Sequence, residues 1–564
     1  MDFSENIFEA TRAPSLKLSH LAATCLFCLA WILPGLLGHE PWKPDEPGTF
    51  GVVLHIYNTG DWLVPALAGE PYMDKPPLFY LTAALFAKVF SSLLPLPDAA
   101  RLASGFYMAL TLIFIGMCGQ VLYGRGKGTM TALIFMGSVG LLVRAHQLIS
   151  DLGLLAGFAL CLFGLSLNQK RPLVAGLVTG TGIGIGFMCR GTLAPIVAVI
   201  SCLLLPVFFK SWRNRKYVLC LLLAVIAAAP WLIIWPIALY QRSPELFRQW
   251  FWVSDLGRLY GFAPYGKEPS ALYFLKTVPW FAWPALPLAL WTLWQGGRKG
   301  LAKPEIQLPL MLIAVLFIAL SLDTDVHDLD ALPFLLPLAL LATPALETLR
   351  RGAASALDWF GIMTFGLLAG CLWLGWFSLM TGHPAWIATS LAGYLPGYSL
   401  PFNMFHFLVG VAFTLGWFAL ISRIGRSNRR AIINWAGGMT MVWVLAMTLW
   451  LPWLDVSKNY RWMFTSLQQS LPSHYRCVTS RNLGETQRAM LEYYAGIITQ
   501  RSDVTGTIDC DLLLIQGRAQ EQPSVGADWE KIWQGSRPGD NYERYYLYQN
   551  APKPHQIGFL SDPS

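Results

Sequence analysis

Between two strongly apolar segments the chain carries a charged stretch, His39 to Pro77, reading HEPWKPDEPGTFGVVLHIYNTGDWLVPALAGEPYMDKPP. Adjacent carboxylates, Asp45 and Glu46, stand between Pro44 and Pro47, and further on Asp74 and Lys75 precede Pro76 and Pro77. Proline fixes φ and disfavours helix in the residue before it, so both clusters are predicted on stiff, non-helical turns. A carboxylate held this way is a candidate proton acceptor, and a lysine beside it a candidate partner for an anion. The chemistry of the chain is expected here.

The elements that must position these residues are membrane elements. Hydrophobic residues are 54% of the 564 and charged residues 13%, with a mean hydropathy of +0.45. Apolar runs of span length recur from Leu18 to Trp453, which makes this a polytopic α-helical membrane protein. The net charge of +8 does not point to nucleic acid, because the basic residues gather in short loops between apolar runs, the pattern of cytoplasmic anchoring. Eight cysteines lie in or beside apolar runs without metal-ligand spacing and read as small core residues; Cys477 and Cys510, in the polar tail, are the candidate disulfide of an exported domain.

Six basic loops fix the topology: Arg125 with Lys127, Lys170 with Arg171, Lys210 to Lys216, Arg298 to Lys303, Arg350 with Arg351, and Arg423 to Arg430. Placing all six in the cytoplasm gives spans at 18–38, 100–123, 129–143, 152–167, 173–189, 193–209, 217–240, 272–295, 305–322, 331–348, 355–377, 404–422 and 431–453. Thirteen transmembrane helices put the N-terminus inside and the C-terminus outside. The apolar segment 77–94 would be a fourteenth and would reverse every later loop; it also carries Lys88. It is therefore expected as an interfacial helix within an external catalytic loop, 39–99, although a true span is the alternative. Residues 1–454 form the membrane domain on this reading. Residues 455–564, with the amphipathic run ETQRAMLEYYAGI and the apolar runs RCVTS, CDLLLIQ and RYYLYQ, form a small external α/β domain.

The loops placed outside hold the unusual charges. Arg144 and Asp151 share one outer turn, Arg190 precedes Gly191 at the next, and the loop from Gln241 to Ser270 supplies Asp255, Arg258 and Lys267. Ionisable groups beside a bilayer pair with one another or line a polar cavity, so Asp74, Arg144, Asp151 and Lys267 are candidates for its wall. The alternating glycines of TGTGIGIGF lie inside a span and read as close helix packing rather than a nucleotide loop. His327 among the aspartates of SLDTDVHDLDALP is a candidate ligand for a divalent cation, as is Asp74.

The WKPDEP turn, GDWLVP, the DKPPL approach to the next helix, DLGRLYGF and the ALPFLLPLALL run resemble, in this order, the membrane glycosyltransferases of the protein mannosyltransferase superfamily. The aminoarabinose lipid A transferase branch is the most similar. The resemblance covers most of the first 350 residues and, in layout, the external domain. It implies a GT-C fold in the bacterial inner membrane and an inverting transfer, at the periplasmic face, of a sugar from a polyprenyl phosphate such as undecaprenyl phosphate. The implied sugar is 4-amino-4-deoxy-L-arabinose and the implied acceptor lipid A. By the same resemblance Asp45 is the catalytic aspartate and Glu46 its acidic neighbour, while Lys75, Arg258 and Arg190 bind the carrier phosphate. One departure stands out: where many relatives have a basic residue and a tyrosine before the Leu-Pro run, this chain has DTDVHDLDALP. Protein or polysaccharide glycosylation is the alternative within the class, and transport of a lipid-linked sugar the alternative outside it. Transport, however, calls for midplane charges and two similar halves, and the sequence has neither.

Overall fold

The computed structural model describes residues 18–259, 271–323, 326–425, 427–507, 509–518, 520–521 and 523–550. Seven helices are long and apolar enough to cross a membrane: Leu96–Tyr123, Pro172–Arg190, Arg215–Arg242, Pro304–Ser321, Asp328–Thr348, Arg351–Thr381 and Met404–Arg423. Asn428–Ala446 and Leu451–Lys458 make an eighth if their 69° bend is one broken span. The other five segments expected to span are shorter or interrupted. Leu18–Ile32, Asp151–Ser166 and Leu193–Phe208 run 15, 16 and 16 residues, about 22–24 Å at 1.5 Å per residue, against roughly 30 Å of hydrocarbon.

The two interrupted segments share a physical cause. Helix Lys127–Met136 stops at Gly137, and the 272–295 segment divides into Ala271–Phe281 and Ala285–Leu301. At the break the Gly140 N–H donates to the Phe281 carbonyl at 2.8 Å and the Val139 N–H to that of Trp283 at 3.0 Å. Each interruption thus satisfies the other's backbone, which is how non-helical chain survives away from water. A side chain at Gly140 would overlap the Phe281 ring, at 2.2 Å from its Cγ.

Burial sorts the apolar helices. The most apolar stretch of Asp328–Thr348 is 89% buried, whereas that of Met404–Arg423 is 11% buried. Both are hydrophobic on all sides, so the first is the centre of the bundle and the second presents its apolar surface outward, as a lipid-facing helix does. Glycines set the packing beside the site, as expected for TGTGIGIGF. A Cβ at Gly157 would lie 2.7 Å from the Gly182 carbonyl oxygen, and one at Gly180 would lie 2.2 Å from that of Ala224. Helix Pro172–Arg190 is therefore in backbone contact with Asp151–Ser166 on one side and Arg215–Arg242 on the other. The link between the first two is short, so they run antiparallel and the N-terminus of one meets the C-terminus of the other. Those ends carry Asp151 and Arg190.

The first loop is more structured than its sequence suggests. Asp45 occupies the N-cap position and Glu46 opens a helix, Glu46–Thr59. Both were expected on a non-helical turn, but Pro47 falls in the first helical turn, where a missing N–H costs nothing. A two-strand hairpin, β1 (Ala66–Leu67) with β2 (Glu70–Pro71), follows, turning on Ala68 and Gly69 with φ of +49° and +80°. Helix Leu78–Phe90 occupies the segment expected to be interfacial; its 13 residues reach about 20 Å.

The C-terminal region is a mixed sheet in the order β4-β3-β5-β7-β6, where β3 is Val478–Arg481, β4 Gln500–Arg501, β5 Leu512–Arg518, β6 Trp529–Gly535 and β7 Glu543–Asn550. β3 is parallel to β4 and β5, and β7 is antiparallel to β5 and β6. Leu512 to Ile515 are buried in succession, as befits a central strand covered on both faces. Cys477 and Cys510 form a disulfide beside β3 and β5. Helix Glu485–Ala495 packs on Glu46–Thr59 so closely that a Cβ at Gly51 would lie 2.6 Å from that of Ala489. One hydrophobic core accordingly runs from the bundle into the tail, through Phe50, Val53, Met490 and Leu512.

Candidate active site

Asp45 stands at an N-cap position without capping the helix. An aspartate at an N-cap ordinarily accepts from the second or third helical N–H, but Pro47 removes one such donor and the Asp45 side chain makes no capping bond. Its Oδ2 instead accepts from Arg144 Nη1 at 2.5 Å, and Arg144 also donates to Gln147 Oε1 at 3.0 Å. Asp328 approaches the other guanidinium nitrogen at 3.8 Å and itself accepts from the Tyr273 hydroxyl. The Asp45 side chain keeps 25% of its surface accessible. It lines a cavity of about 670 Å³ together with Asp74, Lys75, Arg190 and His327.

Glu46, one residue on, faces the opposite way. It is fully buried and accepts from Arg101 Nε at 2.9 Å and from the backbone N–H groups of Trp42 and Leu148 at 2.8 Å each. Burial alone would raise its pKa. Arg101, His39 and the two N–H groups outweigh that and hold the carboxyl below the ordinary glutamate value. Arg101 in turn donates to Asp98 and to the carbonyls of Leu36, His39 and Glu40. The sequence paired Glu46 with Asp45 as a candidate catalytic acid; the structure makes it the buried anchor that fixes the loop presenting Asp45.

The cations form an alternating chain. Lys75 Nζ lies 3.5 Å from Asp151 Oδ2, and Arg190 Nε lies 3.2 Å from Asp151 Oδ1. Arg190 Nη2 donates at 2.5 Å to Asp330, whose other oxygen accepts the His327 N–H at 2.9 Å. The His327 ring accepts the Asp330 N–H in return, a reciprocal cap on the turn Asp328–Phe334. Asp151 at a helix N-terminus and Arg190 at a helix C-terminus each complement the local dipole. The glycine after Arg190 is required by geometry. Gly191 has φ +86°, a Cβ there would lie 2.5 Å from Asp255 Oδ1, and Asp255 accepts the Thr192 N–H at 3.0–3.1 Å. Asp255 thereby ties the π-helical segment Gln249–Asp255 to the turn that follows Arg190.

Of the sequence-predicted residues, Asp45, Asp74, Lys75, Arg190 and His327 line one cavity, and Arg144 and Asp151 stand behind it as partners. The side chain of Arg258 and the whole of Lys267 lie outside the described residues. Asp74 and His327, the candidate metal ligands, share the cavity wall, but among the described residues no group of three or more His, Cys, Asp or Glu side chains converges to hold a metal. Sequence reasoning missed four residues. Glu70, Glu485, Arg488 and Arg501 also line the cavity, the last three from the tail domain. Glu485 and Arg488 sit one turn apart in the amphipathic run noted above, a signal that placed a helix without saying what its polar side faces.

The fold thus brings a first-loop carboxylate, Asp45, and two paired cations, Lys75 and Arg190, to one cavity. Residues 74–235 match the family model for dolichyl-phosphate-mannose-protein mannosyltransferase. It is 27% identical over 451 residues to the undecaprenyl phosphate-alpha-4-amino-4-deoxy-L-arabinose arabinosyl transferase of Yersinia enterocolitica, covering 78% of this chain and 77% of that one. It is 31% identical over 360 residues to the enzyme of the same name from Pseudomonas savastanoi, where 61% and 65% are covered. The crystal structure of ArnT from Cupriavidus metallidurans bound to undecaprenyl phosphate has the same fold, with a TM-score of 0.67 at 15% identity over 97% of this chain and all of that one.

Proposed function

We propose that the cavity moves 4-amino-4-deoxy-L-arabinose from undecaprenyl phosphate to lipid A. The observation that carries this reading is the meeting of Asp45, Lys75 and Arg190 on one cavity of about 670 Å³, in a chain whose arabinosyl transferase relatives are similar over most of its length. Breaking a glycosyl phosphate leaves positive charge developing at the anomeric carbon and negative charge on the departing carrier phosphate. Lys75 and Arg190, with Arg258 from the following loop, receive the phosphate. Asp151 and Asp330 hold the first two in place beforehand, so little reorganisation accompanies the charge transfer.

Asp45 faces the incoming acceptor. For a hydroxyl acceptor it takes the proton, which is worth about 100- to 10,000-fold in rate. For an ionised phosphate no base is needed, and the carboxylate instead stabilises the positive charge at the sugar. Attack opposite the leaving phosphate inverts the anomeric centre. Glu46 and its buried partners set the loop and take no part in bond making.

In the membrane, the shorter, bent and broken helices complete thirteen spans beside the seven that stand alone. The N-terminus then lies in the cytoplasm of a bacterial inner membrane, the tail domain 455–564 in the periplasm, and helix Leu78–Phe90 at the interface within the external loop 39–99. Mass spectrometry of lipid A from cells carrying the wild-type chain, the Asp45→Asn chain or neither tests the reading. A mass increment of one aminopentose that requires Asp45 is expected. Unchanged lipid A alongside a newly modified glycan would overturn the acceptor, and a lipid-linked sugar redistributed between leaflets without transfer would overturn the reaction.

A further inference from the structure

The tail domain reaches into the cavity with two arginines, and the transfer of Lys75 and Arg190 to a donor phosphate leaves them without a stated task. Arg488 projects from the first turn of helix Glu485–Ala495 and Arg501 from β4. Arg488 Nη1 and Arg501 Nη1 both point at a single oxygen, Oε2 of Glu70, at 2.9 and 3.2 Å. Two guanidinium groups, with five N–H donors each, thus converge on one carboxylate that is itself 41% accessible. The Arg488 side chain is only 6% exposed, and the Nε atoms of Arg488 and of Arg501 are buried without a hydrogen-bond partner. Buried guanidinium nitrogens are seldom left this way. The donor set exceeds what Glu70 supplies.

Glu70 is also an unusual anchor. It follows the hairpin turn in which Ala68, a residue with a Cβ, adopts φ +49°, a left-handed conformation that favours glycine. The tail domain packs on that turn: Ile498 lies 3.0 Å from where a Cβ of Gly69 would stand. The hairpin therefore presents its carboxylate at the cavity wall, on a mount made jointly by the membrane domain and the tail.

We infer that Arg488 and Arg501 form a second phosphate clamp, which binds the phosphoryl group of the lipid acceptor, with Glu70 occupying it until the acceptor arrives. This rests on the proposed transfer between two lipid-borne substrates. Each substrate then brings a phosphate to the cavity, and the cavity offers two separate cation groups. Lys75 and Arg190 are braced by fully buried aspartates and suit a site filled in every turnover from one side. Arg488 and Arg501 share one partly exposed glutamate that an incoming phosphate can displace. A phosphate, with three free oxygens, engages both guanidinium forks at once, which a single carboxylate oxygen does not.

The test uses the full chain in lipid nanodiscs and compares Arg488→Gln, Arg501→Gln and Glu70→Gln. Initial rates are measured against acceptor and donor concentration separately, with inorganic pyrophosphate as a soluble competitor. The arginine variants are expected to raise KM for the phosphorylated acceptor at least tenfold with donor KM unchanged, and to lose inhibition by pyrophosphate. Glu70→Gln is expected to move acceptor KM downward, since it removes the internal competitor. A structural tie between tail and hairpin would instead make all three variants lose thermal stability and activity in the same direction, and that outcome overturns the clamp. Equal rates on an acceptor lacking phosphate overturn it as well, whereas absence of any Asp45-dependent transfer by the wild-type chain would overturn the underlying reaction instead. Competition by pyrophosphate with no change in acceptor KM would mean a site for free phosphate, not for the lipid.

Discussion

Neutralising Asp45 and neutralising Glu46 remove one charge each from adjacent residues, and the structure separates their consequences sharply. Glu46→Gln acts on a fully buried carboxylate with three donors around it: the Arg101 Nε at 2.9 Å and the Trp42 and Leu148 N–H groups at 2.8 Å each. An amide keeps one acceptor oxygen but turns an NH2 toward donors that the second oxygen had satisfied. One buried N–H is stranded, at about 1–3 kcal/mol. Arg101 is left with Asp98 as its one carboxylate partner, and breaking a buried pair from one side costs about 3–5 kcal/mol. These two figures describe overlapping losses, so about 3–5 kcal/mol is the expected destabilisation. Asp45→Asn removes one ion pair whose side chains are 25% and 21% accessible, worth about 1 kcal/mol or less. Thermal unfolding of the purified variants, paired with transfer at saturating donor, checks both. Asp45→Asn should melt close to wild type and transfer at least 100-fold more slowly, within the range for a lost general base; Glu46→Gln should melt early and retain turnover in the fraction that stays folded. The reasoning fails if Glu46→Gln melts like wild type yet does not turn over, because Glu46 would then be catalytic from a position the cavity does not reach.

Acid should erase the Glu46 contribution. Its folded pKa is held below the ordinary value of 4.5, so its stabilisation is full above the unfolded pKa and is lost as pH falls through the folded one; the gap in melting temperature between wild type and Glu46→Gln should close below about pH 4. Glu485 runs the other way. Burial leads the causes that raise its pKa, with Asp74 adding, while Tyr72, Arg488 and Arg501 oppose, so Glu485→Gln should raise the melting temperature at neutral pH and change nothing below about pH 4, where the wild-type group is already protonated. Gly191→Ala places a Cβ 2.5 Å from Asp255 at a φ of +86°; a loss of transfer that is not matched by loss of the Asp45–Arg144 side of the site, read as donor affinity falling more than acceptor affinity, would check it. Reduction of the Cys477–Cys510 bridge, which closes a loop with a sequence separation of 33, should destabilise the tail by about 2–4 kcal/mol, measured as earlier proteolysis of the tail in reductant.

What the sequence made legible, and what it hid, follows from the range over which each signal acts. Hydropathy is a local sum, so the membrane class and the seven unbroken spans can be read window by window. A broken span needs its partner: Gly137 to Gly140 interrupts one helix and Trp283 another, and the two are tolerable only because Gly140 and Val139 donate to Phe281 and Trp283 across the bundle. No window contains both. The same holds at the site. Proline spacing marked Asp45 and Lys75, and residue order marked Arg190. That Glu46 turns inward depends on Arg101, fifty-five residues away, and an isolated Asp-Glu pair carries no trace of which member will find a buried cation. The tail arginines are the extreme case. Arg488 and Arg501 meet Glu70 across separations of 418 and 431 residues, and in the sequence they are ordinary polar residues of a helix and a strand end. A charge is recognisable as functional from sequence when its neighbours constrain it; when its constraint arrives from another domain, only the assembled cavity shows that the charge is not spare. The unsatisfied Nε atoms are that kind of evidence, since a surface arginine would have met water there.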